Sequence, residues 1–239
     1  MKSFLHSFKL STPKSTISAN QAPESPMTKG NALIVVELFQ SQGCSSCPPA
    51  NSNVLKLAED PNMLILTYDV TYWDRLGWKD TFGNSAFDQR QWQYARALQR
   101  KNVFTPQVIV NGQVDGVGNN VMELQSLITK GNASSTTQTV DISSAMNGQG
   151  IIVSGPENEQ GFVVATRYDP KHYEVPISHG ENGGRTLPHG HVVKDVRQLG
   201  NWTGGSKNFE LPHWDADGLK VAVLVHAGLG GQVLGAARI

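Results

Sequence analysis

Residues 32–50 read Ala32-Leu33-Ile34-Val35-Val36-Glu37-Leu38-Phe39-Gln40-Ser41-Gln42-Gly43-Cys44-Ser45-Ser46-Cys47-Pro48-Pro49-Ala50. The stretch opens on a β-branched, apolar run of the length expected of a buried strand. Two cysteines three positions apart follow, and then two prolines. A proline has no amide hydrogen, so it is tolerated in a helix only where the donors are not yet in use, which places a helix start close to Cys47. Pro48 to Asp60 continues as a helix with Val54, Leu55, Leu57 and Ala58 on its apolar face, and Met63 to Val70 is a second strand. The unit is βαβ. Such units bury their parallel strands and collect reactive groups at the carboxyl ends of those strands, where Cys44 falls.

Beyond it, Thr71-Tyr72-Trp73-Asp74-Arg75-Leu76-Gly77-Trp78 is an aromatic-rich connection, and Asn84 to Lys101 is predicted helical, with Phe87, Trp92 and Ala95 near helical spacing. Thr105-Pro106 leads into the strand Gln107-Val108-Ile109-Val110. Asn111-Gly112 is the pair that a two-residue hairpin favours, because both positions tolerate positive φ, and Val114 begins the returning strand. Asn119 or Asn120 caps a last helix carrying Val121, Leu124, Leu127 and Ile128, ended by Gly131. The predicted order over residues 31–133 is βαβαββα, that of the minimal thioredoxin-fold core, so the class is α/β. Ser134 to Thr139 reads as a linker. Alternating stretches such as Ile151-Ile152-Val153, Phe162 to Thr166 and Leu219 to His226 then predict a smaller β-rich domain over 138–239.

Residues 1–30 hold one acid, Glu24, among Ser, Thr, Pro and Lys, and predict a disordered leader. Phe4, Leu5 and Phe8 with Lys2 and Lys9 form an amphipathic turn, which makes organelle import the alternative to a cytoplasmic location. Polar residues interrupt Met1 to Leu10 too often for a secretory signal. In the 239-residue chain, 20 acidic and 20 basic residues balance, so no nucleic acid or membrane partner is indicated, and no apolar run reaches spanning length. Nothing in the sequence sets an oligomeric state.

The two cysteines are the only ones, so their role is local. A staple closing so short a loop gives roughly 2 kcal/mol, against about 3 for a 15-residue loop, which favours a reactive role over a structural one. A thiol reacts as its thiolate, and free amides at a helix start favour that form. Cys44, approached past Gly43, is the expected attacking thiol, and Cys47, one turn inside, the resolving one. Glu37, if the strand alternation points it inward beneath Cys47, is the candidate proton acceptor, and an edge or loop-facing carboxylate is the competing reading. Thr105 and Pro106 form the expected peptide-binding edge, with the bond between them cis, although only about 5–6% of X-Pro bonds are. Trp73 and Trp78, with Asp74, line a substrate groove or serve as rim packing. His189 and His191 share a face if extended and with the cysteines would complete a zinc or copper donor set, but a solvent-exposed loop is the favoured account of them. Gly180 to Arg185 is expected at the domain junction, with Arg185 bonding a carboxylate or a backbone carbonyl. No metal or cofactor is called for.

Glu37-Leu38-Phe39, Ser41 to Ala50, Tyr72-Trp73-Asp74, Leu76 to Asp80, Thr105-Pro106-Gln107, Gly180-Glu181-Asn182 and Gly184-Arg185-Thr186-Leu187 together resemble the family labelled domain of unknown function 1223, from Leu33 to Ile239. The resemblance implies a thioredoxin-like fold with a β-rich C-terminal half, found mostly in bacterial proteins that often carry export signals. The chain departs from that pattern at Gln40, Asn51 and His189-Gly190-His191. The family has no assigned reaction. The expected function is therefore a thiol–disulfide oxidoreductase acting on a protein or small-thiol partner. A metal-binding or metal-delivery module and a non-catalytic thioredoxin-like interaction domain are the alternatives.

Overall fold

The computed structural model describes Met1 and residues 32–133, 138–145, 150–214 and 217–239. The leader reading and most of the linker reading lie outside them. The first half runs β1 (Ile34–Gln40), α1 (Cys47–Lys56), β2 (Met63–Asp69), α2 (Ser85–Ala97), β3 (Gln107–Val110), β4 (Val114–Gly116) and α3 (Val121–Ala133), which is the predicted order. The second half consists of β5 (Asp141–Ser144), β6 (Gly150–Gly155), β7 (Gly161–Asp169), β8 (Tyr173–Pro176), β9 (Thr186–His189), β10 (Val192–Trp202), β11 (Gly205–Glu210), β12 (Lys220–His226) and β13 (Val233–Arg238).

Helix ends follow their sequence signals. The Asn84 side chain accepts from Ala86 N at 3.0 Å and that of Asn120 from Met122 N at 2.8 Å, the usual satisfaction of first-turn donors. α2 stops short of the predicted Lys101 because Gln99 turns left-handed at φ 56°. Asn111 and Gly112 take φ of 49° and 66°, as their residue types suggest. The hairpin loop nevertheless has three residues, since Val110 pairs with Val114. Asn111 also ties distant elements together: its Oδ1 accepts from Val35 N at 2.8 Å and its carbonyl from Val233 N at 2.9 Å.

The strands make a mixed eight-stranded sheet, ordered β13-β12-β7-β10-β2-β1-β3-β4. β1 and β2 are parallel, β3 is antiparallel to β1, and β10 joins β2 in parallel through Val192 and Thr67. The sheet therefore runs straight through the boundary expected near residues 134–138, and residues 31–239 form one compact unit.

Strand alternation sorts the core. Val36 and Leu38 of β1 and Ile65 of β2 face α1 and α3, against Ala50, Val54, Leu124, Leu127 and Ile128. Val35 and Phe39, with Leu64, Leu66 and Tyr68, face α2 through Phe87 and Tyr94, and this layer continues onto Tyr168, Val193, Ala222, Leu224 and Val233 of the second half. A three-stranded sheet, β11-β6-β5, closes a third cluster around Trp202 with Ile151, Val153, Val163, Val223 and Val225. A separate β8–β9 hairpin brings the second half to α1 and the cysteine loop. Among the described residues, no helix is long and apolar enough to cross a membrane.

Candidate functional site

Cys44 and Cys47 stand at the start of α1, both as free thiols. The loop that presents them is folded on itself: Cys44 N donates to Ser41 O at 3.1 Å and Cys47 N to Cys44 O at 3.2 Å. Cys44 Sγ lies 3.6 Å from both the Thr105 carbonyl and Ser46 Oγ. The Thr105–Pro106 bond is cis, as expected, and the pair sits against Cys44.

The two thiols differ sharply. Hydrogen bonding from the Cys47 thiol outweighs burial and, with help from Thr105 and Ser46, lowers Cys44 to about 6. Burial, the bond to Cys44 and Cys44's own charge push Cys47 far above the ordinary thiol range. The largest contribution to the depression at Cys44 comes from its neighbouring thiol, and the Ser46 amide ranks behind Thr105 and the Ser46 hydroxyl. Pro48 and Pro49 remove two of the first-turn donors that a helix start would otherwise offer.

Cys44 is also less open than Gly43 suggested, since its relative exposure is 0%. A Cβ on Gly43 would come within 3.0 Å of Trp73 Cβ, so the glycine admits the tryptophan rather than a substrate. Trp73 Nε1 donates to Thr105 Oγ1 at 2.7 Å, and Trp78 Nε1 to Gln42 Oε1 at 2.9 Å, so each tryptophan braces one side of the loop. The second half covers it. Asn182, fully buried, donates from Nδ2 to the carbonyls of Gln42 and Cys44, both at 2.9 Å. Glu181 Oε2 accepts from Ser45 N at 3.0 Å and Ser45 Oγ at 2.7 Å. Gly180 to Arg185 thus packs on the cysteine loop. Arg185 meets the side-chain oxygen of Asn182 at 2.7 Å, where a carboxylate or backbone carbonyl was expected.

Glu37 requires a correction. It lies with Val35 and Phe39 on the α2 face of β1, the face opposite α1 and Cys47. Its carboxylate accepts from Arg90 Nη2 at 2.7 Å and from the Tyr94 hydroxyl, and His226 Nε2 is 3.3 Å from Arg90 Nη2. Burial alone would raise Glu37, but Arg90, His226 and the tyrosine hydroxyls hold it below its usual value. It is a buried structural ion pair.

His189 and His191 are corrected too. His189 is 3% exposed, at the end of β9, with Nε2 3.7 Å from Asp69 Oδ1. His191 instead stacks on Tyr168 at 6.0 Å. They share neither a face nor a donor set, and among the described residues no group of three or more His, Cys, Asp or Glu is arranged to hold a metal ion. Sequence reasoning missed Asp69, Gln42 and Asp80. Asp69 had a readable signal, standing at the carboxyl end of a parallel strand. Gln42 and Asp80, whose carboxylate accepts from Gln42 N at 2.7 Å, fell within motifs that carry the family resemblance, but nothing in those motifs marked their contact.

The family model for a protein of unknown function (DUF1223) matches residues 35–226. The chain belongs to this family. Among solved structures, the DUF1223 chain is similar to the crystal structure of protein AGR_C_4864 from Agrobacterium tumefaciens, at 30% identity and a TM-score of 0.71, covering 87% of this chain and 94% of that one. HBP35 of Porphyromonas gingivalis matches at 14% identity and a TM-score of 0.53, over 87% of this chain and 75% of that one, a likeness of fold. No curated protein matches.

Proposed function

We propose that this DUF1223 protein is a thiol–disulfide oxidoreductase built on a thioredoxin-like core and acting on the disulfide of a protein or small-thiol partner. Cys44, as thiolate, attacks one sulfur of the partner disulfide and expels the other as a thiolate, leaving a mixed disulfide. Cys47 then attacks Cys44 Sγ, releases the second partner thiolate and leaves the Cys44–Cys47 disulfide, so two electrons pass to the partner. Thr105 and Pro106 form the edge against which the partner's backbone lies, with Trp73 and Trp78 bounding the approach.

The observation that carries this reading is the asymmetry within one loop: both thiols are buried, yet Cys44 is held near 6 while Cys47, three residues on, is pushed far up. A structural pair has no need of such a difference. An attacking and a resolving thiol do, because only the first must be ionised at rest. Trapping tests it. Cys47→Ser should accumulate mixed disulfides with partners that release on reduction, and Cys44→Ser should accumulate few or none. Equal trapping by the two variants would refute the assignment.

A further inference from the structure

With Glu37 on the wrong face, the proton of Cys47 has no acceptor among the groups first expected to take it, yet Cys47 must lose that proton to resolve a mixed disulfide. Behind Cys47 lies a cavity of about 10 Å³, lined by Gln40, Ser41, Cys47, Pro48, Asn51, Leu187, Pro188 and His189. That is about the room one water occupies. Two polar atoms of its lining residues, Gln40 Nε2 and Asn51 Oδ1, have no hydrogen-bond partner. Asp69, fully buried at the end of β2, adjoins this site. Ile65 shows which face of β2 packs on α1, and two alternations bring Asp69 to that same face, opposite Gln40 in the parallel register.

The tautomer of His189 follows from its neighbours. Nδ1 lies 3.1 Å from the Leu187 carbonyl, which can only accept, so Nδ1 carries the hydrogen and Nε2 presents its lone pair. Gln42 agrees. Trp78 Nε1 donates to its Oε1, which fixes the amide and leaves Nε2 as the end facing His189 Nε2 at 3.5 Å. The imidazole is neutral, its basic nitrogen next to a carboxylate and its ring on the wall of the cavity that Cys47 also lines.

We propose that the Asp69–His189 pair is the proton acceptor for Cys47 during resolution, with His189 Nε2 taking the proton across the shared cavity and Asp69 as the positioning residue that stabilises the imidazolium. The proposal rests on the thiol–disulfide reading above. In the step, the Cys47 S–H bond breaks, the proton passes to His189 Nε2, the sulfur lone pair forms the bond to Cys44 Sγ, and the partner sulfur leaves with the electrons of the mixed disulfide. The pair gains one positive charge as Cys47 gains the negative charge that the departing thiolate carries away, so the transfer adds no net charge to the buried site. The charged groups facing the pair are Asp80 from the connection before α2, Lys194 from β10 and Cys47 from α1. Burial and Asp80 raise Asp69, with Lys194 and Gln40 opposing, and burial lowers His189 to about 4, which keeps the imidazole neutral before the transfer.

The test is stopped-flow reduction of 4,4′-dithiodipyridine by the full-length reduced protein, in which the first thiopyridone released reports attack by Cys44 and the second reports resolution by Cys47. His189→Gln and, as an isosteric second variant, Asp69→Asn should keep the first phase within about twofold and slow the second on the order of 100-fold at neutral pH. The deficit should shrink as pH rises, because hydroxide then removes the Cys47 proton directly. A second phase unchanged in both variants, or both phases slowed equally at every pH, overturns the proposal. A wild-type protein that releases a single thiopyridone, or none, overturns the oxidoreductase reading with it.

Discussion

Glu37 and Leu38 are one residue apart and face opposite layers of the protein. Leu38 packs beneath α1, whereas Glu37 is sealed on the α2 side with Arg90. The consequence for stability is direct. Removing one member of a buried ion pair leaves an uncompensated charge, so Arg90→Met should cost roughly 3–5 kcal/mol in urea unfolding. The double variant Glu37→Gln/Arg90→Met should cost less than Arg90→Met alone, because no lone charge remains. Equal losses would show that the pair contributes only packing. That the strand was buried could be read from its apolar run. Which face Glu37 occupied could not, since a run buried on both sides carries no alternation to phase it.

The loop from Gly180 to Arg185 is the element that closes the site. Glu181 is exposed and holds Ser45 by two hydrogen bonds, whereas Asn182 is buried and bonds two carbonyls of the cysteine loop. These residues have separable roles: Asn182 fixes the loop, and Glu181 clasps its outer edge. Glu181→Ala should raise the rate at which Cys44 reacts with iodoacetamide on the order of fivefold, the change that releasing a hydrogen bond of ordinary net strength makes in an opening equilibrium. Its melting temperature should fall by no more than about 2–4 °C, the shift that the same lost bond makes in global unfolding of a chain this size. An unchanged rate would mean that Trp73 and Thr105, not Glu181, control access. The compact polar motif Gly180-Glu181-Asn182 was visible in the sequence, as was its place near a junction. Its partner Ser45 was not, because a contact spanning 136 residues leaves no local pattern.

At the scale of the molecule, the two halves share the eight-stranded sheet and the core layer on its α2 face. β10 continues β2, Val233 N bonds the Asn111 carbonyl, Arg238 donates to the carbonyls of Pro61 and Met63, and His226 completes the Arg90 cluster. Far-UV circular dichroism and tryptophan fluorescence should therefore report coincident urea transitions. Two separated transitions would show that the halves unfold independently. The βαβαββα order, the hairpin and the helix caps were legible because each rests on residues within a few positions of one another. The joining of the halves was not, since parallel pairing of β2 with β10 links residues more than a hundred positions apart. The asymmetry of the cysteines belongs to this whole assembly, with α1 burying Cys47, the Thr105 loop meeting Cys44 and the second half roofing both. Site-resolved alkylation of the reduced, intact protein across pH measures it most directly. A thiol held low is ionised above its shifted value, so Cys44 should label with a midpoint at about 6 while Cys47 stays unlabelled through neutral pH. Two cysteines that label together, with midpoints at the roughly 8.5 of a free thiol, would contradict the assignment of attacking and resolving roles.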